Sequence, residues 1–275
     1  MAQTPQQSYI LGHTDRERER LTLQARVLRP HTLRLFTDAG IAPGMRVLDL
    51  GCGVGDVSLL LAEMVGPEGR VTGLDFDPAA LATARQRAVA AGWHNLEFIE
   101  ANVAEYSPVH LFDGVVGRHI LIHTPDPLQV LRRAVTFLQP GGIVAFQEYD
   151  LSTWVPVWPV SPLNERVMQL FVDVFRQKPD VNAGSKLNFW YRNCGLPAPV
   201  LQGTVLLDGA EDSLYFSWIA ETLRTALPLA EQLGLVQPGE LDPDQVAADL
   251  RAFAATHHST ICGLIMIGAY SRKTQ

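Results

Sequence analysis

Three glycines at alternate positions make the segment most able to bind a small ligand. An apolar run containing Asp49 leads into Gly51, Gly53 and Gly55. Glycine tolerates positive φ and lets a ligand approach the backbone without a Cβ in the way. A helical pattern begins at about Asp56, and the free N–H groups of a helix start carry partial positive charge. The sequence therefore predicts a buried strand, a tight turn and a helix start that suit a nucleoside-bearing cofactor.

The spacing of these glycines bears on which cofactor fits. A dinucleotide turn of the dehydrogenase type has the pattern G-x-G-x-x-G, with the pyrophosphate on the helix end. Here Asp56 stands at the place of the third glycine, where an acid would repel a diphosphate. A cofactor that carries an amino group and a sulfonium meets no such repulsion. The turn therefore favours S-adenosylmethionine over a nicotinamide dinucleotide.

A second apolar run ends at another acid, Asp75, 24 residues after Gly51. An acid at the carboxyl end of the second strand can accept both hydroxyls of a ribose. The alternative role is a helix N-cap, but Asp77 suits it better because Pro78 follows at the first helical position. We therefore expect Asp75 to be available to a ribose.

Strand and helix patterns alternate from residue 45 to residue 150, which predicts a doubly wound, mostly parallel α/β sheet with helices on both faces. The predicted strands are 46–50, 70–74, 96–100, 112–117 and 142–148, and the predicted helices are 56–65, 78–91 and 127–138. Ligands bind at the carboxyl ends of the strands in such sheets. The residues at those ends are Gly51, Asp75, Asn102, Gly117 and Glu148.

Five segments in order resemble the class I S-adenosylmethionine-dependent methyltransferases, in particular small-molecule enzymes with a ubiquinone-biosynthesis-like core. The segments are VLDLGCGVGD (47–56), VTGLDFDP (71–78), LEFIEANVAE (96–105), FDGVVGRHILIHTPDP (112–127) and LQPGGIVAFQEYD (138–150). The resemblance is firm over residues 31–150. It implies a Rossmann-like sheet of seven strands, the last of them antiparallel, with helical cap insertions.

The resemblance also implies a division of the chain into core, lid and cap. We expect an N-terminal helical lid at 1–30, a cofactor core at 31–150, cap insertions at 151–194 and 211–257, and the last core strands within 195–210 and 258–275. Outside the core, we predict helices at 163–177, 183–194, 211–234 and 243–257 and strands at 199–207 and 259–271. Residues 151–163 are too proline-rich for a regular element.

Transferred to this sequence, the resemblance implies a role for each residue of the glycine turn. Asp49 and the backbone of Gly51 and Gly53 would hold the methionine end of the cofactor. Asp75 would bind the ribose hydroxyls, and Phe76 would pack beside the adenine.

Further cofactor contacts are implied after the third strand and from the lid. Asn102 stands where the family often has an Asp for the adenine amino group, and its carbonyl can still accept from that group. Cys52 lies in the glycine turn, where a small residue that fills the turn is favoured over a reactive thiol. The other residues in the predicted cofactor set are Tyr9, Gln24, Val103 and Arg118.

Methyl transfer mainly requires alignment of the acceptor, and a base is needed only if the acceptor must lose a proton. His119 is the first candidate for that base, and the alternative is that it shapes the pocket. His123 would share a helical face with His119, or cap the turn that follows it. Glu148 could orient a substrate amine or hydroxyl, and Tyr149 could close over the methyl group. A metal site is not predicted, because Asp126 is the single acid near the two histidines.

Composition limits the remaining functions. The net charge of −7 disfavours a nucleic-acid substrate. No apolar run reaches the roughly 18 residues that span a bilayer, and the start of the chain lacks a signal-peptide pattern. Three scattered cysteines predict neither a disulfide framework nor a zinc site. We therefore expect a cytoplasmic enzyme with a small-molecule substrate and no membrane partner, and an apolar cap helix could support a homodimer.

The leading hypothesis is a methyltransferase acting at O, N or C of a small, partly apolar molecule. One alternative is an enzyme of the same fold that uses the cofactor only structurally, such as a cyclase. A nicotinamide oxidoreductase is disfavoured by Asp56 and by the absence of a Tyr-x-x-x-Lys pair. A non-catalytic binding module is disfavoured because the cofactor motifs are intact.

Overall fold

Alternating strands and helices build the chain, as its hydrophobic pattern predicts. The computed structural model describes residues 15–177 and 180–274. The strands in these ranges are β1 Arg46–Leu50, β2 Arg70–Asp75, β3 Leu96–Glu100, β4 Phe112–Arg118, β5 Leu138–Trp154, β6 Val200–Asp208 and β7 Ile261–Arg272. The helices are α1 Asp15–Ala39, α2 Asp56–Val65, α3 Pro78–Ala90, α4 Pro127–Thr136, α5 Pro162–Phe175, α6 Ala183–Asn193, α7 Leu214–Gln232 and α8 Pro243–His257.

The strands form one sheet in the order β3-β2-β1-β4-β5-β7-β6. The pairs β1–β2, β2–β3, β1–β4 and β4–β5 are parallel. Strand β7 is antiparallel to both of its neighbours, β5 and β6. The predicted mostly parallel, seven-stranded sheet with an antiparallel last strand is therefore confirmed. The strand order reverses between β1 and β4, so the carboxyl ends of these two strands border the crevice where such sheets bind ligands.

Side-chain caps followed by proline start several helices. Asp77 accepts a hydrogen bond from the backbone of Ala79, and Pro78 then opens α3. The same arrangement opens α4 at Asp126, α5 at Ser161 and α8 at Asp242. Proline suits these positions because its missing N–H would have had no partner inside the helix.

Two segments differ from their predicted form. Helix α1 runs through Pro30 to Ala39 as one helix, so the expected lid boundary at residue 30 falls inside it. Strand β5 continues to Trp154, whereas residues 151–163 were expected to be irregular. Its register against β7 shifts between Asp150 and Trp154, and the strand ends two residues before Pro156.

Apolar side chains cover both faces of the sheet. One large core joins the sheet to the helices of the cap, and its fully buried members include Phe146, Tyr191 and Phe216. A second core lies between the sheet and helices α1 and α2, around Phe36 and Leu61. No helix within the described ranges is long and apolar enough to cross a membrane.

Candidate active site

The glycine turn after β1 folds over the end of β2. Gly51, Gly53 and Gly55 have φ values of 65°, 51° and 84°, which L-residues with a Cβ rarely adopt. The backbone N–H groups of Gly51 and Cys52 donate to the carbonyl of Leu74, at 2.8 and 3.1 Å. The alternating glycines therefore supply the conformation that brings the turn next to the second strand.

Asp75 holds this turn in place. Its Oδ2 accepts from the N–H of Gly53 at 2.8 Å, and its Oδ1 accepts from the N–H of Asp77 at 3.0 Å. Burial raises the pKa of Asp75, and these backbone hydrogen bonds oppose the rise. Asp77 caps α3, as expected, but Asp75 is not wholly free: it orders the turn and keeps its remaining lone pairs for a ligand.

Asp49 lies beneath the turn and is 1% exposed. Ser58 of α2 donates to its Oδ2 at 2.6 Å. Burial raises the pKa of Asp49 to about 7, although Ser58 and the charge of Arg118 oppose the rise. Sequence reasoning missed Ser58, which lies one turn into a helix and carries no motif signal of its own.

The space beside this turn fits S-adenosylmethionine. A Cβ on Gly53 would have no heavy atom within 4 Å, so the backbone is open on the side where a ligand would lie. The Asp75 carboxylate, bonded to the Gly53 N–H, stands at that opening for a ribose, and the buried Asp49 lies beneath the turn. Phe76 follows Asp75 directly and is 60% exposed, which leaves its ring available to an adenine.

The thiol of Cys52 belongs to the packing below the turn. The residue is 7% exposed and lies in a small core with Leu81, Ala84 and Phe98. Burial and the charges of Asp49 and Asp75 raise the pKa of this thiol well above its ordinary value. Cys52 therefore offers a ligand its backbone, and its side chain fills the turn.

Asn102 orders the loop after β3. It is exposed, and its Oδ1 accepts from the backbone N–H of Ala104 at 2.9 Å. Val103 is partly buried against the large core. The predicted adenine contact of Asn102 would therefore use its amide nitrogen or the second lone pair of its carbonyl.

The charge of Asp56 is compensated inside the fold. Arg87 of α3 pairs with its carboxylate at 2.6 Å and also donates to the carbonyl of Val54 at 2.7 Å. The argument that Asp56 repels a diphosphate is therefore weaker than the sequence suggested, because the guanidinium neutralises most of the repulsion.

Residues distant in sequence meet around His119, at the end of β4. The His119 ring stacks on Tyr149 of β5, with ring centroids 4.0 Å apart and planes 16° apart. Nε2 of Gln24 on α1 lies 3.4 Å from His119 Nδ1. Tyr149 and Gln24 were both predicted site residues, so the structure brings three of the predicted set together.

The hydrogen bonds around Gln24 indicate the tautomer of His119. Arg20 donates to Gln24 Oε1 at 2.9 Å, so the amide NH₂ is the group that faces His119 Nδ1. The proton of the neutral ring then lies on Nε2, which is buried without a hydrogen-bond partner in the described ranges. Burial and the Arg118 charge lower the pKa of His119 well below its ordinary value. This tautomer presents a donor, and the role of His119 as base stays a prediction.

Glu148 shapes the segment that follows His119. It is fully buried, and its carboxylate accepts from the N–H groups of Ile120 (3.0 Å), Leu121 (2.8 Å) and Ile122 (3.2 Å). Burial raises its pKa to about 8, against these three hydrogen bonds. Both oxygens contact backbone, an arrangement that favours a positioning role over the predicted contact with substrate.

His119 and His123 do not share a helical face. His119 has a φ of 55°, and the short 3-10 turn begins two residues later, at Leu121–His123. Glu148 accepts from the N–H groups of residues 120–122, which are the free N–H groups at the start of that turn, and so caps it.

Arg118 links the sheet to α1. Its Nη1 donates to the hydroxyl of Thr32 at 3.1 Å, and that hydroxyl donates to Gln147 Oε1 at 2.7 Å. Thr32 and Gln147 were missed, since nothing in their local sequence marks them. Burial lowers the pKa of Arg118.

Tyr9, which the sequence predicts to contact the cofactor, lies outside the described residues. Within residues 15–177 and 180–274, no cluster of three or more His, Cys, Asp or Glu side chains could hold a metal ion.

Comparison with known proteins agrees with this geometry. A family model described as a methyltransferase domain matches residues 41–193, more than half of the chain. A demethylmenaquinone methyltransferase of Listeria monocytogenes is 41% identical over 118 residues, which are 42% of this chain and 48% of the relative. The match thus spans about half of that relative's length.

Solved structures with the same fold are more distant in sequence. Phosphoethanolamine N-methyltransferase 2 of Haemonchus contortus, in complex with phosphomonomethylethanolamine and S-adenosylhomocysteine, aligns with a TM-score of 0.56 and 18% identity over 90% of this chain and 53% of its own. The [4+2]-cyclase SpnF aligns with a TM-score of 0.55 and 19% identity over 89% of this chain and 81% of its own. The chain therefore belongs to the methyltransferase domain family, and the predicted class I S-adenosylmethionine-dependent group, with its cofactor, is confirmed.

Proposed function

We propose that the chain transfers a methyl group from S-adenosylmethionine to a small, partly apolar molecule. One observation carries the proposal. The Asp75 carboxylate is fixed to the Gly53 N–H at the carboxyl ends of β1 and β2, next to open space at Gly53. A carboxylate held in this way needs little reorganisation to accept the hydroxyls of a ribose.

The protein's own part in the reaction is binding, alignment and exclusion of water. S-adenosylmethionine supplies an activated methyl group on a sulfonium. Asp49 and the glycine turn would hold its methionine end, and Asp75 its ribose. The stacked rings of His119 and Tyr149 would offer a flat wall to the acceptor, and alignment of this kind supplies some 7–11 kcal/mol of the barrier reduction.

The name of one relative supports an acceptor that contains an aromatic or quinone ring. The Listeria relative is named for demethylmenaquinone, and we propose an acceptor with a quinone-like or phenolic ring for this chain. A neutral His119 that donates through Nε2 would hydrogen-bond to an oxygen on such a ring. Nucleic acid stays disfavoured by the net charge of −7, and a homodimer and a cytoplasmic location stay predictions from the sequence.

Thermal melts with cofactor analogues test the binding half of the proposal. A ligand at 100 times its Kd stabilises a fold by about 2.7 kcal/mol, which is roughly 5–10 °C for this size. We expect that shift with S-adenosylhomocysteine and no shift with NAD. Asp75→Ala should abolish it, whereas Asp242→Ala, which removes the cap of the distant α8, should lower the melting temperature and leave the shift intact.

Transfer of a labelled methyl group to an acceptor tests the transfer half. The methyl-labelled cofactor is incubated with a panel of naphthols, quinols, amines and acidic carbon compounds, and the labelled product is measured. Labelled product from a phenol or quinol is the expected result. Binding of the cofactor without turnover of any acceptor would instead indicate a structural use of the cofactor, and a melt shift with NAD alone would overturn the proposal.

A further inference from the structure

Arg118 is the last residue of β4, and its guanidinium forms no ion pair with a carboxylate of the described residues. The side chain makes one hydrogen bond among these residues, from Nη1 to the hydroxyl of Thr32 at 3.1 Å. Arginine stays protonated in proteins, and a buried charge without a counter-ion costs free energy. The fold therefore holds a positive charge whose remaining N–H groups have no acceptor in the part of the chain that the structure describes.

Two acids interact electrostatically with Arg118, but each has a different partner. Asp56 pairs with Arg87 at 2.6 Å, and Asp49 accepts from Ser58 at 2.6 Å. Burial also raises the pKa of Asp49 to about 7, so near neutral pH this carboxyl is ionised in only part of the molecules. The two acids attract the guanidinium without occupying its N–H groups.

The other guanidinium nitrogens of Arg118 are within reach of a ligand. The residue is partly exposed, and none of its nitrogens is both buried and without a hydrogen-bond partner. Since Thr32 contacts Nη1 alone, Nε and Nη2 border accessible space. These two nitrogens form one edge of the planar fork that binds a carboxylate through two parallel hydrogen bonds.

Arg118 stands beside the glycine turn, at the crevice between β1 and β4. Leu50 pairs with Gly117 across these strands, so Gly51 and Arg118 each follow a paired residue at the same end of the sheet. Cδ1 of Ile120 lies 2.8 Å from the point where a Gly51 Cβ would stand, so the segment after Arg118 touches the turn. Arg118 is thus at the reversal of strand order, where sheets of this kind bind ligands.

Asp75, the proposed ribose contact, ends the strand on the other side of β1. Because β1 lies between β2 and β4, the ends of the strands that carry Asp75 and Arg118 are two strand spacings apart, or about 10 Å. In S-adenosylmethionine about six single bonds of roughly 1.5 Å separate the ribose ring from the carboxyl carbon, which is a comparable reach. A cofactor with its ribose at Asp75 can therefore place its carboxylate near Arg118.

We propose that the Arg118 guanidinium binds the α-carboxylate of S-adenosylmethionine through Nε and Nη2, while Thr32 orients it from Nη1. The inference rests on the proposed function and makes the cofactor site specific for adenosyl compounds that carry a free carboxylate. A ligand carboxylate at this place supplies the counter-ion that the described fold does not.

Decarboxylated S-adenosylhomocysteine, which keeps the adenosine, the sulfur and the amino group, tests the proposal without turnover. Its Kd and that of S-adenosylhomocysteine are measured by calorimetric titration at one pH and one ionic strength. The natural chain should bind S-adenosylhomocysteine about 10- to 100-fold more tightly, as expected for charge-assisted hydrogen bonds. Arg118→Gln should lose that preference, because it binds S-adenosylhomocysteine more weakly and the decarboxylated compound at least as tightly as the natural chain does.

Two further variants serve as controls. Arg26→Gln removes an exposed arginine of α1 and should keep the natural preference. Asp75→Asn should weaken the binding of both compounds by a similar factor, because both carry the ribose. If Arg118→Gln does not fold, Arg118→Lys replaces it: the lysine keeps a positive charge without the fork and should reduce the preference.

The outcomes separate this inference from the proposed function. Equal affinity of the natural chain for the two compounds would overturn the carboxylate assignment and leave cofactor binding standing. An Arg118→Gln variant that keeps the full preference would overturn it as well, and would leave an ionised methyl acceptor as the anion for Arg118. A natural chain that does not bind S-adenosylhomocysteine at all would overturn the proposed function itself, and the inference with it.

Discussion

Of three carboxylates near the carboxyl end of the sheet, Asp49 and Glu148 are buried and Asp75 is half-buried, and their partners determine what each can do. Glu148 accepts from three backbone N–H groups and shapes a loop. Asp75 accepts from two and still borders open space. Asp49 accepts from the Ser58 hydroxyl and lies under the same turn. The sequence motifs predicted that acids would lie at these positions. The separate role of each acid depends on hydrogen-bond partners that only the fold brings together.

The raised pKa of Glu148 predicts a pH dependence of stability. In the folded chain its pKa is about 8, against 4.5 for the ordinary group. Between these values the unfolded chain has released a proton that the folded chain retains, so the free energy of unfolding falls as pH rises. Each unit of pKa difference corresponds to about 1.4 kcal/mol. Thermal melts from pH 5 to pH 8 should therefore show the natural chain losing stability relative to Glu148→Gln, which cannot titrate.

The matched control for this measurement is Glu68→Gln, which changes an exposed acid. Its melting curve should follow that of the natural chain at every pH. Parallel pH profiles for the natural chain and Glu148→Gln would show that the buried carboxyl does not titrate in this range.

Asp49 gives a second pH dependence, this time of ligand affinity. Its pKa is raised to about 7, and the ionised form is the one that can accept from an ammonium. Affinity for S-adenosylhomocysteine should therefore rise roughly tenfold from pH 6 to pH 7.5. Calorimetric titrations should show weak, nearly pH-independent binding in Asp49→Asn. The exposed substitution Asp249→Asn should keep the rise, and a flat profile in the natural chain would exclude Asp49 from the ammonium site.

At the scale of elements, two glycines in the turn between β1 and α2 should matter for different properties. Gly51 should matter mainly for the stability of the fold, and Gly53 mainly for binding of the cofactor. A Cβ on Gly51 would approach Ile120 Cδ1 to 2.8 Å, whereas one on Gly53 meets nothing within 4 Å. Both residues have positive φ, which costs an alanine about 1 kcal/mol. Gly51→Ala should therefore be the more destabilising variant, by a further 1–3 kcal/mol from overpacking.

For affinity toward S-adenosylhomocysteine we expect the opposite order, with Gly53→Ala the more harmful variant, because its Cβ would enter the space assigned to the cofactor. Denaturant unfolding and titration of S-adenosylhomocysteine on the same two variants measure both effects. Gly53→Ala should lose more affinity for S-adenosylhomocysteine than Gly51→Ala does, and less stability. If Gly53→Ala binds as tightly as the natural chain, the cofactor does not lie on that side of the turn.

Most elements could be predicted because their signals are local. Apolar runs bounded by glycine and proline mark β1 to β4, and Asp-Pro or Ser-Pro pairs mark four helix starts. The exceptions depend on distant contacts. Trp154 is part of β5 because Leu264 pairs with it, and the short turn after His119 begins where Glu148 caps its N–H groups. Leu264 and Glu148 are both too distant in sequence from these segments for a local pattern to predict the contacts.

At the scale of the whole molecule, α1 is the element that connects the surroundings of His119 to the sheet. Its residue Gln24 contacts His119, and its residue Thr32 bonds to Arg118 and Gln147. The sequence predicted a lid that ends at residue 30. The structure shows instead a continuous helix that is fixed to the sheet beyond that point, so the position of α1 follows from buried contacts made by its second half.

Loss of the Thr32 hydroxyl should therefore lower the stability of the fold measurably. It is fully buried, accepts from Arg118 and donates to Gln147. Thr32→Val keeps the shape and leaves both partners buried without this hydrogen bond, at a cost of about 1–3 kcal/mol. Thermal melts should show a fall of roughly 2–4 °C per kcal/mol, whereas Thr37→Val, at an exposed position of the same helix, should change little. Because Thr32 fixes the helix that carries Gln24, the neighbour of His119, Thr32→Val should also slow methyl transfer to a phenol or quinol acceptor. A variant that melts early but transfers the methyl group at the natural rate would show that the position of α1 does not matter for the reaction.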